Sequence, residues 1–151
     1  MTTLDPYIYA AAAAAGLRSG DYTVLVPGTD AHSQAEACLT SRFPIAEWGR
    51  VDWSRVSHSI CRPWESLESA SLLVNEIAAH VPLKKENAYV IWTNALRPIL
   101  HVPVRALRSN LLPLMEIDWD MWIVDDAGKW CIEVYHEGEL CFGSSPAPDA
   151  W

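Results

Sequence analysis

The sequence has few basic residues and few of the motifs that identify enzymes. Lysine and arginine together number 11 against 19 aspartate and glutamate residues, so the 151-residue chain carries a formal net charge of −8. Because phosphate binding draws on excess basic residues, this balance disfavours nucleic acid as a partner. A P-loop, a G-x-G-x-x-G motif and a G-x-S-x-G elbow are all missing, so nucleotide binding and this type of hydrolase nucleophile have no support. No cofactor is predicted.

Long apolar runs and a secretion signal are also missing. No apolar run reaches the ~18–20 residues that a membrane span needs. The alanine run at 10–15 precedes the first positive charge, Arg18, and Asp5 stands where a signal peptide carries basic residues. The sequence therefore predicts a cytoplasmic protein without a membrane partner.

The four cysteines stand far apart in the sequence, at Cys38, Cys61, Cys131 and Cys141. No C-x-x-C pair exists, which disfavours a structural zinc site or a thioredoxin-type site. Since half of the residues are hydrophobic, the core does not require a disulfide framework. All four cysteines are predicted to be reduced, and no metal site is predicted.

The first half of the chain predicts three helices and two strands. Asp5 as N-cap and Pro6 at the first helical position begin a helix that Gly16 or Gly20 ends. A strand is predicted over 23–26, and a helix capped by Asp30 over 31–42. Residues 51–60 contain one further strand. The clearest helix runs from about 65 to 81, with an apolar stripe: Leu67, Ala70, Val74, Ile77, Ala78 and Val81.

The second half predicts mainly strands. The segment 88–93 is apolar on both faces and is expected at the centre of a sheet, with a second strand over 98–102. A helix starting at Pro103 either ends near Asn110 or kinks at Pro113. Strands over 119–124, 130–136 and 139–142 form an antiparallel meander.

The last turn of the meander is predicted to be centred on residues 137 and 138. That register places Val134 opposite Cys141 and Tyr135 opposite Leu140. Cys141 then shares the core-facing side with Trp130, Ile132 and Val134.

These elements predict an α/β protein of the α+β type. We expect a mainly antiparallel central sheet of about five or six strands with about four helices packed on it. Residues 1–143 are predicted to form a single globular domain, and residues 144–151 a flexible C-terminal tail.

Acidic and aromatic residues alternate in the last third of the chain. Asp118, Asp120, Asp125 and Asp126 flank Trp119 and Trp122. Such a set favours a surface that anchors a basic partner, because tryptophan is enriched at binding hot spots. The alternatives are tryptophans in the core with aspartates at strand ends, or a magnesium or calcium site.

Two further groups of residues qualify as candidates. His136 lies beside Glu137 and Glu139, a combination suited to acid–base work or to metal binding, or simply to a polar hairpin tip. Of the eight tryptophans, Trp48 and Trp53 lie among polar residues and are predicted to be exposed.

The runs DWDMWIVD at 118–125 and KWCIEVYHEGEL at 129–140 resemble the closing hairpins of bacterial immunity proteins of polymorphic toxins. These include immunity proteins of contact-dependent growth inhibition systems. The resemblance covers roughly residues 88–143 and rests on the placement of strands, turns and aromatic residues.

The resemblance implies a non-enzymatic, cytoplasmic protein that binds the C-terminal toxin domain of a co-encoded effector. A nuclease toxin must be basic to hold phosphate, so an acidic inhibitor can be steered onto it. The residues predicted to make charged or anchoring contacts number eight: Asp118, Trp119, Asp120, Trp122, Asp125, Asp126, Glu133 and Glu137.

Two other function classes stay open. A small hydrolase would use His136, His101 or His58 with a neighbouring carboxylate, and would show a deep pocket in which the two groups converge. A structural subunit would instead associate with itself through a tryptophan-rich sheet edge.

Overall fold

The computed structural model describes residues 6–56, 58–80 and 87–144. It contains four α-helices: α1 Pro6–Ala14, α2 Asp30–Arg42, α3 Leu67–His80 and α4 Leu112–Met115. Seven strands accompany them: β1 Thr23–Leu25, β2 Ile60–Pro63, β3 Asn87–Trp92, β4 Ile99–Pro103, β5 Met121–Asp125, β6 Trp130–Tyr135 and β7 Glu139–Ser144.

The strands form one sheet in the order β1-β4-β3-β5-β6-β7-β2, and every neighbouring pair is antiparallel. This confirms the α+β class, with a sheet somewhat wider than expected. The predicted meander forms three adjacent strands of it, β5, β6 and β7, and β3 lies between β4 and β5 as expected for a strand that is apolar on both faces.

The two faces of the sheet bury separate hydrophobic clusters. On one face, α1, α3 and α4 pack over side chains such as Val90, Ile123 and Ile132. On the other face, α2 and the segment 43–56 cover Ile91 and Val124. Because successive strand residues point to opposite faces, Val90 is buried on one face of the sheet and Ile91 on the other.

The predicted apolar stripe of helix α3 packs into the hydrophobic core. Ala70, Val74 and Ala78 of the predicted stripe are almost completely buried, and Leu67 and Ile77 pack partly against the same cluster. The stripe's last member, Val81, lies outside the described residues, as do the Asp5 cap and residues 145–151 of the predicted tail. None of the described helices is both long and apolar enough to traverse a bilayer.

The predicted register of the last hairpin is wrong by one residue. Tyr135 pairs with Glu139 and Val134 with Leu140, so the turn contains three residues instead of two. Gly138 adopts a φ of 93°, which an L side chain rarely adopts, and this permits the longer turn. Since side chains alternate along a strand, the shift moves Cys141 to the opposite face, beside Glu133.

Three other boundaries differ from expectation. The side chain of Thr29, one residue before Asp30, caps α2 by accepting a hydrogen bond from the His32 N–H at 3.3 Å. The strand expected within 51–60 forms instead at Ile60–Pro63, after a 3-10 helix at Trp53–Arg55. Beyond Pro103 a 3-10 helix spans Val104–Arg108, and Pro113 lies in the first turn of α4, so the chain forms two short helices rather than one.

The prediction of four reduced cysteines is wrong for two of them. Cys61 of β2 and Cys141 of β7 are direct cross-strand partners and form a disulfide, whereas Cys38 and Cys131 are free thiols. Spacing in sequence gave no sign of this bond, because 80 residues separate its two cysteines. Strand pairing alone brings them together.

Substitution of Val74 by alanine is expected to destabilise the protein by about 2 kcal/mol, because two fully buried methyl groups are replaced by a cavity. Leu72→Ala on the exposed side of the same helix is the matched control. It should change the free energy of unfolding by less than about 0.5 kcal/mol. Urea denaturation of both variants measures the difference, and equal effects would contradict the assigned face of α3.

Candidate functional site

Strand β5 divides the predicted acidic residues into two groups. Asp118 and Asp120 precede the strand, whereas Asp125 ends it and Asp126 follows it. Six extended residue steps separate Asp120 from Asp126, which is about 20 Å. The structure therefore does not bring the eight predicted contact residues onto one surface.

Three of those eight residues are buried and bonded within the protein. Trp122 is 7% exposed, Asp125 is 2% exposed and Glu133 is 0% exposed. The Asp125 carboxylate accepts a hydrogen bond from the Lys129 N–H at 3.1 Å, within the turn that leads to β6. These three side chains therefore do not reach the surface of the described residues.

Glu133 is the most completely satisfied carboxylate at the centre of the structure. Its Oε1 accepts from Arg50 Nε at 2.7 Å and from Trp53 Nε1 at 3.0 Å. Its Oε2 accepts from the Val51 N–H at 2.8 Å and from Trp122 Nε1 at 2.9 Å. A buried charge is tolerated when it is paired and hydrogen-bonded in this way. The network explains why Trp53, predicted to be exposed, is only partly so.

Arg50 extends this network to the closing hairpin. One terminal nitrogen of its guanidinium donates to Glu139 Oε1 at 2.8 Å, and its central carbon lies 3.9 Å from the centre of the Tyr135 ring. Burial alone would lower the pKa of Arg50, but hydrogen bonds to Glu139 and Glu133 and their charges raise it. The charged guanidinium thus fastens the segment 50–53 to β6 and β7.

At the hairpin end of the sheet, Asp118 organises two loops. Its carboxylate accepts from the Trp119 N–H at 2.8 Å, the Asn94 N–H at 3.0 Å and Arg97 Nε at 3.0 Å. Burial tends to raise the pKa of Asp118, but these hydrogen bonds and the charge of Arg97 outweigh it and lower the pKa. Its carboxylate therefore points inward and fixes the backbone at residue 119.

Asp120 makes a similar connection to the hairpin turn. Its Oδ1 accepts from the His136 N–H at 2.8 Å and lies 2.8 Å from His136 Nδ1. The His136 ring in turn lies edge-on to Trp119, with ring centres 4.8 Å apart. The sequence suggested Glu137 or Glu139 as partners of His136, whereas the structure supplies Asp120 from the loop that precedes β5.

Trp119 is held between these two carboxylates, yet its own side chain is 72% exposed. Beside it lies a shallow recess whose lining includes Trp64, Arg97 and Ile117. We define the hairpin-end surface by five exposed residues on the connected loops at this end of the sheet: Leu96, Glu116, Trp119, His136 and Glu137. Leu96, which the sequence did not single out, is 82% exposed.

The opposite end of β5 has a different character. Asp126 lies 3.1 Å from His101 Nε2, and the His101 ring stacks on Tyr89 at a centre-to-centre distance of 4.7 Å. Tyr89 and His101 are cross-strand neighbours on β3 and β4, and neither is fully exposed. This end carries a paired carboxylate and stacked rings rather than an exposed anchor.

The surroundings of His136 and of the Cys61–Cys141 pair bear on the hydrolase and metal alternatives. Within the described residues, the lining of the recess beside His136 includes no serine, threonine or cysteine, although the Thr93 hydroxyl accepts a hydrogen bond from the Asp120 N–H at 3.0 Å. Cys61, Glu139 and Cys141 place potential metal ligands within 4.8 Å of one another. The two sulfurs are bonded to each other and Glu139 accepts from Arg50, so these groups are already engaged.

Comparison with known protein families extends the resemblance seen in the hairpins. A family model described as "CdiI immunity protein EcoliA0-like" matches residues 19–143. The chain belongs to this CdiI immunity protein family. The match includes α2, β2 and α3 as well as the strands of the meander, so it covers far more than the expected residues 88–143. A search of curated proteins found no match.

The pairings that sequence reasoning missed share one property, which is that the two partners are distant in the chain. Arg50 and Glu133 are 83 positions apart, and Asp120 and His136 are 16 apart. One signal was present for Glu133, since a carboxylate in the middle of the strand 130–135, between apolar neighbours, must find buried donors. No comparable signal pointed to Arg50.

We expect Glu133→Gln to destabilise the protein by about 3 kcal/mol, because it removes one of the two carboxylates that pair with Arg50 and leaves part of the four donors around the buried Glu133 without an acceptor. Glu137→Gln at the exposed turn is the matched control and should cost less than about 0.5 kcal/mol. Thermal and urea unfolding measure both values. A small effect of Glu133→Gln would show that the buried ion pair is not required for stability.

The lowered pKa of Asp118 predicts a specific pH dependence. A carboxyl group whose pKa is lower in the folded than in the unfolded state stabilises the fold above its unfolded pKa, and this contribution is lost as the pH falls through the folded pKa. Asp118→Asn should therefore be less stable than wild type at pH 7, and the difference should shrink below the ordinary value of 3.8.

Denaturant unfolding of the two proteins at a series of pH values measures this difference. Asp21→Asn, at an exposed position, is the control and should leave the free energy of unfolding within about 0.5 kcal/mol of wild type throughout. A destabilisation by Asp118→Asn that stayed constant down to acid pH would argue against a charge-dependent role.

Proposed function

We propose that this chain is a non-enzymatic immunity protein that binds the C-terminal toxin domain of a cognate effector and neutralises it through the hairpin-end surface. Membership of the CdiI immunity family supports the general role. The observation that carries the choice of surface is the exposed Trp119 ring, whose backbone and neighbours are fixed by the hydrogen bonds of Asp118 and Asp120. The proposed site of action is the cytoplasm, without nucleic acid or membrane as a partner.

Trp119 is suited to act as an anchor because its surroundings are fixed before a partner arrives. Asp118 holds its N–H, and Asp120 holds the turn that carries His136. A large rigid aromatic side chain loses little conformational entropy on binding, so most of its burial contributes to affinity. Of the predicted contact residues, Asp118 and Asp120 thus act in positioning, and Trp119 and Glu137 make the contacts.

The charge of the surface favours a basic toxin domain. Glu116 and Glu137 are exposed beside Trp119, and the whole chain carries a net charge of −8. Opposite charge on the partner raises the association rate and rejects partners of like charge. Binding over the phosphate-holding face of a nuclease would block the path of its substrate.

Trp119→Ala is expected to weaken binding to the toxin domain encoded in the same locus about 30-fold, the loss typical of a hot-spot aromatic residue. Trp48→Ala is the matched control, because Trp48 is equally exposed on the loop 44–52 but lies outside the proposed surface. Isothermal titration calorimetry measures both affinities. If Trp48→Ala caused the larger loss, the proposed surface would be the wrong one.

Charge reversal distinguishes the two acidic ends of the sheet. Glu137→Lys should slow association with the same toxin domain about tenfold at low salt, and this difference should diminish at high salt. Asp126→Lys makes the same charge change at the opposite end of β5 and should have a much smaller effect. Stopped-flow association rates at two ionic strengths provide the measurement, and the reverse ranking would assign binding to the Asp126 end.

A further inference from the structure

The disulfide between Cys61 and Cys141 joins two very different environments. The two residues are directly paired across β2 and β7, with their Cα atoms 4.0 Å apart. Cys61 is exposed, whereas Cys141 is 0% exposed. Cys61 is therefore the residue of the pair that a soluble thiol can approach in the folded protein.

Strand β2 has few attachments to the sheet besides this bond. It forms the edge of the sheet, and within the described residues it pairs only with β7, over four residue pairs. All four of its residues are exposed, so burial of side chains adds little to its attachment. The disulfide is the one covalent link between this strand and the sheet.

We propose that the Cys61–Cys141 bond is a reversible thiol–disulfide exchange site that is attacked at Cys61, and that its cleavage releases β2 from the edge of the sheet. The reactant is a dithiol reductant, and the proposal does not depend on the identity of the toxin. Because cleavage removes the covalent tether and leaves only edge hydrogen bonds, β2 then opens far more often than the strands at the centre of the sheet.

The exchange proceeds in two balanced steps. A thiolate of the reductant attacks the Cys61 sulfur and forms a mixed disulfide, while the Cys141 sulfur leaves with the electron pair of the broken bond and takes up a proton. The second thiol of the reductant then attacks the reductant's first sulfur in the mixed disulfide. This step closes the disulfide of the oxidised reductant and releases the Cys61 thiol. In total, two electrons and two protons pass from the reductant to the two cysteines.

The surroundings of the leaving sulfur fit this direction of attack. Arg50 lies with a terminal nitrogen 3.8 Å from Cys141 Sγ and favours the negative charge that develops there. Glu139 Oε1 lies 3.6 Å from the same sulfur and can accept a hydrogen bond from the thiol once it is protonated. Glu133, the other carboxylate of this cluster, is occupied by its own four donor groups.

The consequences extend along the chain to the hairpin turn. Trp64 follows β2 directly, its N–H donates to the Gly138 carbonyl at 2.8 Å, and its side chain lines the recess next to Trp119. When β2 is released, this backbone hydrogen bond and the packing of the Trp64 side chain against the core remain to attach the segment.

The test uses the full chain under native conditions with and without dithiothreitol. We expect alkylation and intact-mass measurement to detect two additional thiols after reduction. Hydrogen–deuterium exchange in a peptide covering 60–63 should accelerate roughly tenfold or more, while α3 keeps its protection. A bond that resists reduction until the protein unfolds, or reduction without faster exchange at 60–63, would overturn the proposal.

Two variants separate this bond from the free thiols. Cys61→Ser should show fast exchange at 60–63 both with and without reductant. Cys38→Ser should respond to reductant as wild type does, because Cys38 takes no part in the bond. A wild-type response in Cys61→Ser would contradict the assignment.

The site of attack can be determined on the wild-type chain, which removes any dependence on the folding of a variant. Treatment with reduced glutathione, followed by acid quenching and peptide mapping, traps the mixed disulfide. We expect the glutathione adduct on Cys61. An adduct found mainly on Cys141 would show that the buried sulfur is attacked and would overturn the proposed direction.

Discussion

The buried carboxylate of Glu133 is the constraint on which one whole face of the structure depends. A charge without contact to water is costly unless donors surround it, and here the donors come from the distant segment 50–53 and from the neighbouring strand β5. The hydrogen bonds to Glu133 therefore fix the irregular segment 50–53 against the sheet. Gly143 permits this close packing, because a Cβ atom there would lie 2.8 Å from a methyl group of Val56.

The same use of carboxylates recurs at the hairpin end of the sheet. Asp118 and Asp120 direct their oxygen atoms to backbone N–H groups of neighbouring loops, and the exposed side chain between them is aromatic. Part of the acidic composition thus serves to position the chain rather than to contact a partner. In this chain the arrangement leaves an exposed aromatic side chain on a fixed backbone, with a smaller set of exposed carboxylates around it.

Local patterns predicted those parts of the fold that depend on neighbours in sequence. The stripe on α3 and the apolar run of β3 each specify which side chains are buried, and the structure buries them. The predicted register of the last hairpin was wrong because the alternation of side chains does not show how many residues the turn contains. The apolar residues of the last strand fit either face of the sheet. The one-residue shift in register decides the face on which Cys141 lies. In the structure Cys141 lies beside Glu133 and Cys61 rather than on the face covered by α1, α3 and α4.

The sequence by itself determined the class of fold, the central position of β3 and the acidic, tryptophan-rich character of the closing hairpins. These follow from periodicity and composition, which act over a few residues. Only the tertiary structure decided which acidic residues lie inside, which histidine meets which carboxylate and which cysteines are bonded. Asp120 and His136 are 16 positions apart, Cys61 and Cys141 are 80 apart, and Arg50 and Glu133 are 83 apart. Only the pairing of the strands and the packing of the loops on the sheet bring these partners together.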